Sequence, residues 1–417
     1  MTILGIADTT VASLIRPLTD PGHDRDAVAE RFARATWTGI AEPGDRVAGL
    51  VVAALGAEAA LAALIDDREG GMLRHALAER DAGLDDAELS QAVARWTPRI
   101  SKGDALLSLR QAARFAASLL VPGDPDWPTG LADLAEYAPV ALWMRGQRAK
   151  LASLQRGVAI VGARAATGYG EHVTVELAAG LADRGYAIVS GAAYGVDGAA
   201  HRAALASQAD TVAFLAGGLD RFYPSGHEAL LSRIIERGVA ISEVPCGVAP
   251  TKWRFLQRNR LIAAASLVTV VVEAGARSGS LNTAGHAAAL GRPLGAVPGP
   301  ITSAASAGCH RLLREYDAVC VTSADEIAEL APLATADGVR MSEQTVEEAD
   351  AGAARPAADP TGTRIRLLDA LAPRSPRTPE KLAVLSGLAV DRVRAELGLL
   401  ALDGAVRELS SGWVRAT

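Results

Sequence analysis

The chain has 417 residues, of which 49% are hydrophobic and 22% charged, and its net charge is −6. At roughly 150 residues per domain that length allows about three domains, and the composition excludes a disordered chain, a collagen-like fibre and a disulfide-stapled miniprotein. Three cysteines (Cys246, Cys309, Cys320) without CxxC spacing fit a reducing compartment and no structural zinc.

In chain order, residues 1–120 form the first unit and read as helices. Val47, Leu50, Val51, Ala54 and Leu55 recur at helical spacing, as do Leu106, Leu109, Ala113 and Ala117. The most apolar window, Val47 to Leu64, is interrupted by Glu58 and falls short of a membrane span. No basic stretch followed by an apolar run opens the chain, so no signal peptide is visible and a cytoplasmic protein is expected. His23 and His75 are isolated and read as surface or packing residues.

From 121 to 330 the texture changes. A turn-rich stretch from Val121 to Pro128 leads to a strand over Pro139–Met144. Short apolar runs at 158–161, 187–189, 211–215, 239–241, 268–272, 294–297 and 318–321 then alternate with helical segments near 169–184, 197–207, 226–237 and 279–290. Continuous apolar strands separated by helices predict a parallel sheet covered on both faces. The fold class is α/β, a Rossmann-like doubly wound sheet, whose ligands bind beyond the strands' carboxyl ends near the topological switch point. Residues 331–360 are rich in Asp, Glu, Ala, Gly and Pro and read as an acidic flexible linker. Residues 361–417 then follow the plan of a winged helix: helix, turn, helix near 389–402, and a hairpin over Val406–Leu409 and Trp413–Arg415.

The residues just after the strands carry the chemistry. The run Val161 to Gly170 is a poor dinucleotide fingerprint, because Arg164 replaces the second glycine and the next strand ends in Ser190-Gly191 without a ribose-binding acid. Arg164 is placed either to clamp a phosphate beside a helix N-terminus or to close a loop through carbonyl groups. Ser190-Gly191, Gly217-Gly218, Ser278-Gly279-Ser280 and Pro298-Gly299 offer small, donor-rich segments, and Arg258-Asn259-Arg260 and Arg277 add cationic and amide groups. Anion donors at several strand ends suggest a phosphate groove. No GxxxxGK[ST] loop is present to cradle a nucleotide. Asp197 and His201 lie four apart and could form an acid/base pair or half a metal site, but with no companion ligand cluster or nucleophile they are read as a scaffold hydrogen-bonded within its own helix and loop, holding Ser190 to Val196. Glu243 and Glu273 are expected to end two neighbouring strands, where they could act as paired carboxylates or, the preferred reading, order the arginines of 258–260 by salt bridges.

These residues resemble the DNA-processing protein A family (DprA, also called Smf). The resemblance rests on Pro122 to Pro128, Gly162-Ala163-Arg164, the run from Ser190 to His201, Gly217 to Asp220 with Tyr223-Pro224, Ser242-Glu243, Arg258-Asn259-Arg260, Glu273-Ala274, Ser278 to Ser280 and Pro298-Gly299. It implies a single-stranded-DNA-binding recombination mediator that protects incoming DNA and loads the RecA recombinase during natural transformation, dimerising through the sheet domain. It further implies Arg164 as phosphate clamp, Gly162, Ser190 and Gly191 as groove-shaping residues, Arg258, Asn259 and Arg260 as lining, and Ser278, Gly279 and Ser280 as donors. Arg277 stands where the family usually has lysine, Leu256-Gln257 where a proline usually follows the Phe255 position, and Gly308-Cys309-His310 where Gly-Thr-Asn is typical. No catalytic residue, metal ligand or cofactor is expected. The competing readings are a nucleotide hydrolase or phosphoribohydrolase on a related sheet, whose PGGxGTxxE loop this chain lacks, and a winged-helix DNA-binding regulator.

Overall fold

A computed structural model describes residues 3–19, 25–80, 83–333 and 360–416. The acidic linker read over 331–360 lies almost wholly outside the described residues, as does His23.

The first part is helical: α1 (Asp8–Ile15), α2 (Arg25–Ile40), α3 (Arg46–Leu55), α4 (Ala57–Asp66), α5 (Gly71–Ala78), α6 (Asp86–Trp96) and α7 (Lys102–Arg114). The apolar window at 47–64 is broken at Gly56, whose φ of 81° only glycine adopts readily, and α3 and α4 meet at 108°. Among the described residues no single helix is long and apolar enough to cross a membrane.

A nine-stranded sheet follows, containing β1 (Ser118–Leu120), β2 (Leu142–Gly146), β3 (Gly157–Val161), β4 (Ala187–Ser190), β5 (Thr211–Leu215), β6 (Val239–Ser242), β7 (Val268–Val271), β8 (Leu294–Ala296) and β9 (Val319–Cys320). Its order is β1-β2-β6-β5-β4-β3-β7-β8-β9. Seven strands from β6 to β9 run parallel, whereas β2 pairs antiparallel with β6 and β1 with β2. The α/β doubly wound fold therefore holds with an antiparallel edge that the expectation of a parallel sheet omitted. Apolar runs announce strands but not their direction.

The covering helices are α8 (Gly168–Asp183), α9 (Val196–Ala206), α10 (Glu228–Arg237), α11 (Lys252–Ala264), α12 (Ser280–Ala289), α13 (Ala307–Glu315) and α14 (Ala324–Leu330). One face of the sheet packs Val158, Ile160 and Ile188 against Leu177 and Leu181 of α8. The other packs Val161, Phe214 and Ile241 against Leu261 and Ile262 of α11. The N-terminal helices share a continuous core with the antiparallel edge, where Trp143 of β2 is fully buried and donates its indole N–H to Thr38 of α2 at 3.1 Å. The C-terminal part comprises α15 (Pro360–Ala370), α16 (Pro379–Ser386), α17 (Val390–Leu402), β10 (Val406–Leu409) and β11 (Gly412–Arg415), a winged helix with its own small core around Leu367, Leu382, Val393 and Leu397.

From β3 the chain moves outward through β4, β5 and β6, and then returns to place β7 on the other side of β3. The switch point is therefore between β3 and β7, and their following loops carry Arg164 and Arg277 to Ser280.

Candidate nucleic-acid interface

At the switch point, backbone crowding explains the glycine. A Cβ on Gly162 would stand 2.6 Å from Val196 Cγ2 and 2.9 Å from the Glu273 carbonyl oxygen, so only glycine lets the β3 loop pass between α9 and the β7 end. The N-terminus of α8, where a dinucleotide would place its pyrophosphate, is already occupied by a carboxylate. Glu273, 2% exposed, accepts the Thr167 N–H at 2.9 Å and the Thr167 hydroxyl at 2.7 Å. Glu273 thus caps α8 and does not order the 258–260 arginines as expected. Nor is it a neighbour of Glu243, since three strands separate β6 from β7.

Arg164 is exposed. Its guanidinium carbon lies 4.8 Å from the centre of the Phe255 ring, a cation–π placement that orients a flexible cation. Tyr223 stands beside the same ring, with centroids 5.5 Å apart, and is about half exposed. Gly191, Leu215, Ala216, Gly217, Arg221, Tyr223, Pro250 and Phe255 line one cleft over the carboxyl ends of β4 and β5. Glycine at 217 allows that cleft to form, because a Cβ there would meet Pro250 Cδ at 2.8 Å. Gly218 lies behind it, buried, with its N–H donating to the Val248 carbonyl at 2.8 Å.

Arg258, Asn259 and Arg260 sit in the interior of α11, not on a strand end or loop. All three are buried. Arg258 runs beneath Gly191, donating to its carbonyl at 2.8 Å and to that of Phe214, and a Cβ on Gly191 would collide with the guanidinium at 2.2 Å. Burial draws its pKa down to about 10, with Asp197 opposing the shift and Arg164 reinforcing it. It remains a cation at neutral pH, placed under the cleft floor. Asn259 donates to the Gly279 carbonyl at 3.3 Å and to Asn282 Oδ1 at 3.1 Å, fixing the β7–α12 turn. Arg260 forms a bidentate pair with Glu243, both contacts 2.7 Å, and donates to the Tyr137 carbonyl at 3.1 Å. The Glu243–Arg260 half of the expected carboxylate–arginine ordering is therefore present. These groups shape and charge the floor from below, so the expectation that they line the groove is corrected.

Ser190 is fully buried, and its hydroxyl donates to the Ile160 carbonyl at 2.6 Å, tying β4 to β3 rather than facing out. Ser278 and Ser280 share a hydroxyl–hydroxyl bond of 2.7 Å. Gly279 and Arg277 between and before them are exposed. The exposed cations Arg164, Arg221, Lys252 and Arg277 have no ion-pair partner among the described residues. Beyond β8, His310 reaches back to the Gly299 carbonyl at 2.9 Å, which gives the residue that departs from the family pattern an internal role.

Asp197 and His201 do not bond each other. The Asp197 carboxylate accepts the Ala193 N–H at 3.3 Å, which supports the expected scaffold role for this residue. Burial raises its pKa, against the opposing pull of Arg258 and the amides of Ala193 and Gly191. His201 instead reaches strand β5: its Nδ1 is 2.7 Å from Thr211 Oγ1, whose single proton goes to the Ile188 carbonyl at 2.9 Å. Nδ1 must therefore carry the hydrogen. Burial holds the imidazole neutral, its pKa lowered to about 3, with His227 next in effect. The expectation that His201 bonds within its own helix and loop is corrected. Among the described residues no group of three or more His, Cys, Asp or Glu side chains could hold a metal ion.

Sequence reasoning used Tyr223 and Phe255 only as family markers and passed over Arg221 and Lys252 as site residues. The available signal was the interleaving of cations and aromatics in Arg221-Phe222-Tyr223 and Lys252-Trp253-Arg254-Phe255, the pattern of a stacking platform.

The comparisons agree with the fold. Residues 118–332 match the model for DNA recombination-mediator protein A. The chain belongs to that family. Residues 351–412 match the DprA winged helix domain. A putative DNA processing protein DprA of Mycobacterium tuberculosis is 46% identical over 310 residues, covering 72% of this chain and 77% of the relative. Protein Smf of Escherichia coli is 38% identical over 262 residues, covering 57% and 69%. The crystal structure of DprA from Streptococcus pneumoniae superposes with a TM-score of 0.56 at 29% identity, covering 73% of this chain and 99% of that one. As a DprA protein the chain is a DNA-processing protein.

Proposed function

We propose that this DprA protein binds single-stranded DNA across the carboxyl ends of its parallel strands and serves as a recombination mediator that protects the strand and loads a RecA recombinase onto it during natural transformation. The observation that carries the reading is the exposed Arg164 guanidinium set on the Phe255 ring at the switch point, beside a half-exposed Tyr223. A cation held on an aromatic shelf suits a flexible strand, whose phosphates need charge and whose unpaired bases need a face to stack on. Gly162, Gly191, Gly217 and Gly218 give the backbone clearance, Ser190, Arg258, Asn259 and Arg260 build the floor, and Arg277 with Ser278, Gly279 and Ser280 extends the donors along the rim. The reading assigns no catalytic step, metal or cofactor. It places the protein in the cytoplasm with the recombinase, as a homodimer through the sheet domain, whose terminal strand β9 leaves Val319 and Cys320 exposed at an unpaired edge.

The test is fluorescence anisotropy with single-stranded and blunt duplex oligonucleotides at matched salt, without nucleotide. The single strand should bind more tightly. The log–log salt slope should fall by about 0.7 for each phosphate contact removed by mutation. Equal affinity for duplex and single strand would defeat the groove reading. Recombinase loading is read separately, as strand exchange on DNA precoated with a single-strand-binding protein.

A further inference from the structure

The first turn of α11 forms a lip of the cleft: Lys252 opens the helix, and Phe255 lies one turn further on beneath Arg164. The winged helix grips this lip. Asp369 of α15 places Oδ2 2.6 Å from the backbone N–H of Lys252. Next to it, the Arg366 guanidinium carbon lies 5.4 Å from the Trp253 ring centre. Arg366 also donates to the Ser386 and Gly387 carbonyls, at 2.8 and 2.5 Å. Gly387, with φ 65°, lies so close to Glu42 that a Cβ would stand 2.6 Å from its Cγ. The winged helix is therefore held at the lip by Asp369 and Arg366 and beside it at Glu42, with Asp369 an anion on a helix N-terminal amide.

That amide is the polar group a strand passing Lys252 would engage. First-turn N–H groups favour anions, and a carboxylate and a phosphate cannot share one. The Lys252 ammonium, exposed and without an ion-pair partner among the described residues, would draw a phosphate to this place. A fixed negative charge there also repels phosphates within a Debye length of about 8–10 Å.

We infer that the winged helix is a latch across one end of the cleft, its Asp369 carboxylate standing where a backbone phosphate of the bound strand belongs, so that a strand reaching Lys252 displaces the winged helix from α11. The inference rests on the single-strand reading above. Because coupling between two binding events is reciprocal, the latch and the strand weaken each other by the same factor, so a variant that weakens the latch tightens DNA binding, and DNA loosens the latch.

The experiment uses the full chain. Asp369→Asn keeps the size of the side chain and removes its charge, and Arg366→Gln weakens the latch through different atoms. Anisotropy with a single-stranded oligothymidylate should show both variants binding about three- to tenfold more tightly than the parent, the range of a modest coupling. Hydrogen exchange of the parent should show α15 exchanging faster once the oligonucleotide is bound, while the first turn of α11 stays protected because the strand replaces Asp369 on its amide. Unchanged or weaker binding by Asp369→Asn, or protection of α15 by DNA, overturns the latch while leaving the groove standing. Failure of the parent and both variants to bind overturns the groove reading itself, and the latch with it.

Discussion

Arg164 and Arg258 approach the same phenyl ring, with guanidinium carbons 4.8 and 5.7 Å from the centre of Phe255. Arg164 is exposed, and its hydrogen-bonding edge is open to a ligand; Arg258 is 5% exposed and bonded to two backbone carbonyls. The two should therefore separate binding from stability. Arg164→Ala is expected to lose about 1–3 kcal/mol of single-strand affinity, the scale of charge-assisted hydrogen bonds, with an unchanged thermal midpoint. Arg164→Lys should recover only part, because an ammonium keeps the charge but not the planar stack. Arg258→Ala leaves the Gly191 and Phe214 carbonyls without their donor and should cost about 2–5 kcal/mol in urea unfolding. If Arg164→Ala unfolded as readily as Arg258→Ala, the exposed clamp would have to be reassigned as a structural arginine.

At the scale of elements, the alternation of apolar runs and helical segments made β3 to β9 and α8, α9, α10 and α12 legible within one or two residues. Helix α11 was not. Its sequence places Lys252, Arg254, Arg258 and Arg260 among Trp253, Phe255 and Leu261, so no apolar stripe appears. The reason is burial on more than one side: arginines 254, 258 and 260 point inward and find Glu42, backbone carbonyls and Glu243 there. A buried charged helix resembles a solvated loop when tertiary partners are invisible, and the role expected for 258–260 changed for that reason. The glycines of the site were legible as small, donor-rich turns, yet the sequence does not distinguish those that are required. Gly162→Ala brings its Cβ to 2.6 Å from Val196 and 2.9 Å from the Glu273 carbonyl. It should cost about 1–3 kcal/mol by overpacking and weaken DNA binding by shifting the Arg164 loop. Gly279 has φ −64° and nothing within 4 Å of an added Cβ, so Gly279→Ala should remain within about 0.5 kcal/mol of the parent. Thermal unfolding of the two variants side by side checks the contrast, and equal effects would mean that the β3–β7 crossing has slack that its distances deny.

For the molecule as a whole, Glu42 is the point where its three parts meet. It follows α2, and its carboxylate accepts Arg99 Nη2 at 2.7 Å, Arg254 Nη2 at 2.6 Å and Arg254 Nε at 3.0 Å, while Arg366 of the winged helix adds its charge. Burial alone would raise the carboxyl pKa, but Arg254, Arg99 and Arg366 outweigh it and hold the group at about 2 instead of 4.5. As pH falls, the unfolded chain therefore takes up this proton before the folded one does. The stabilisation from Glu42 is complete above about pH 4.5 and is lost progressively as the pH drops towards about 2. Glu42→Gln removes the anion and leaves Arg99, Arg254 and Arg366 facing one another without it. At pH 7 the loss should be about 3–5 kcal/mol, the usual result of breaking a buried pair from one side. The gap between parent and variant should then narrow between pH 4.5 and pH 2.5, where Glu42 of the unfolded parent protonates while the folded carboxylate is still held ionised. Urea titrations at pH 7, 4 and 3, with the transitions of the sheet domain and winged helix followed separately by hydrogen exchange, make the measurement. A variant that matches the parent at pH 7 would show that the three parts are held together by their apolar contacts and that Glu42 merely occupies the space between them.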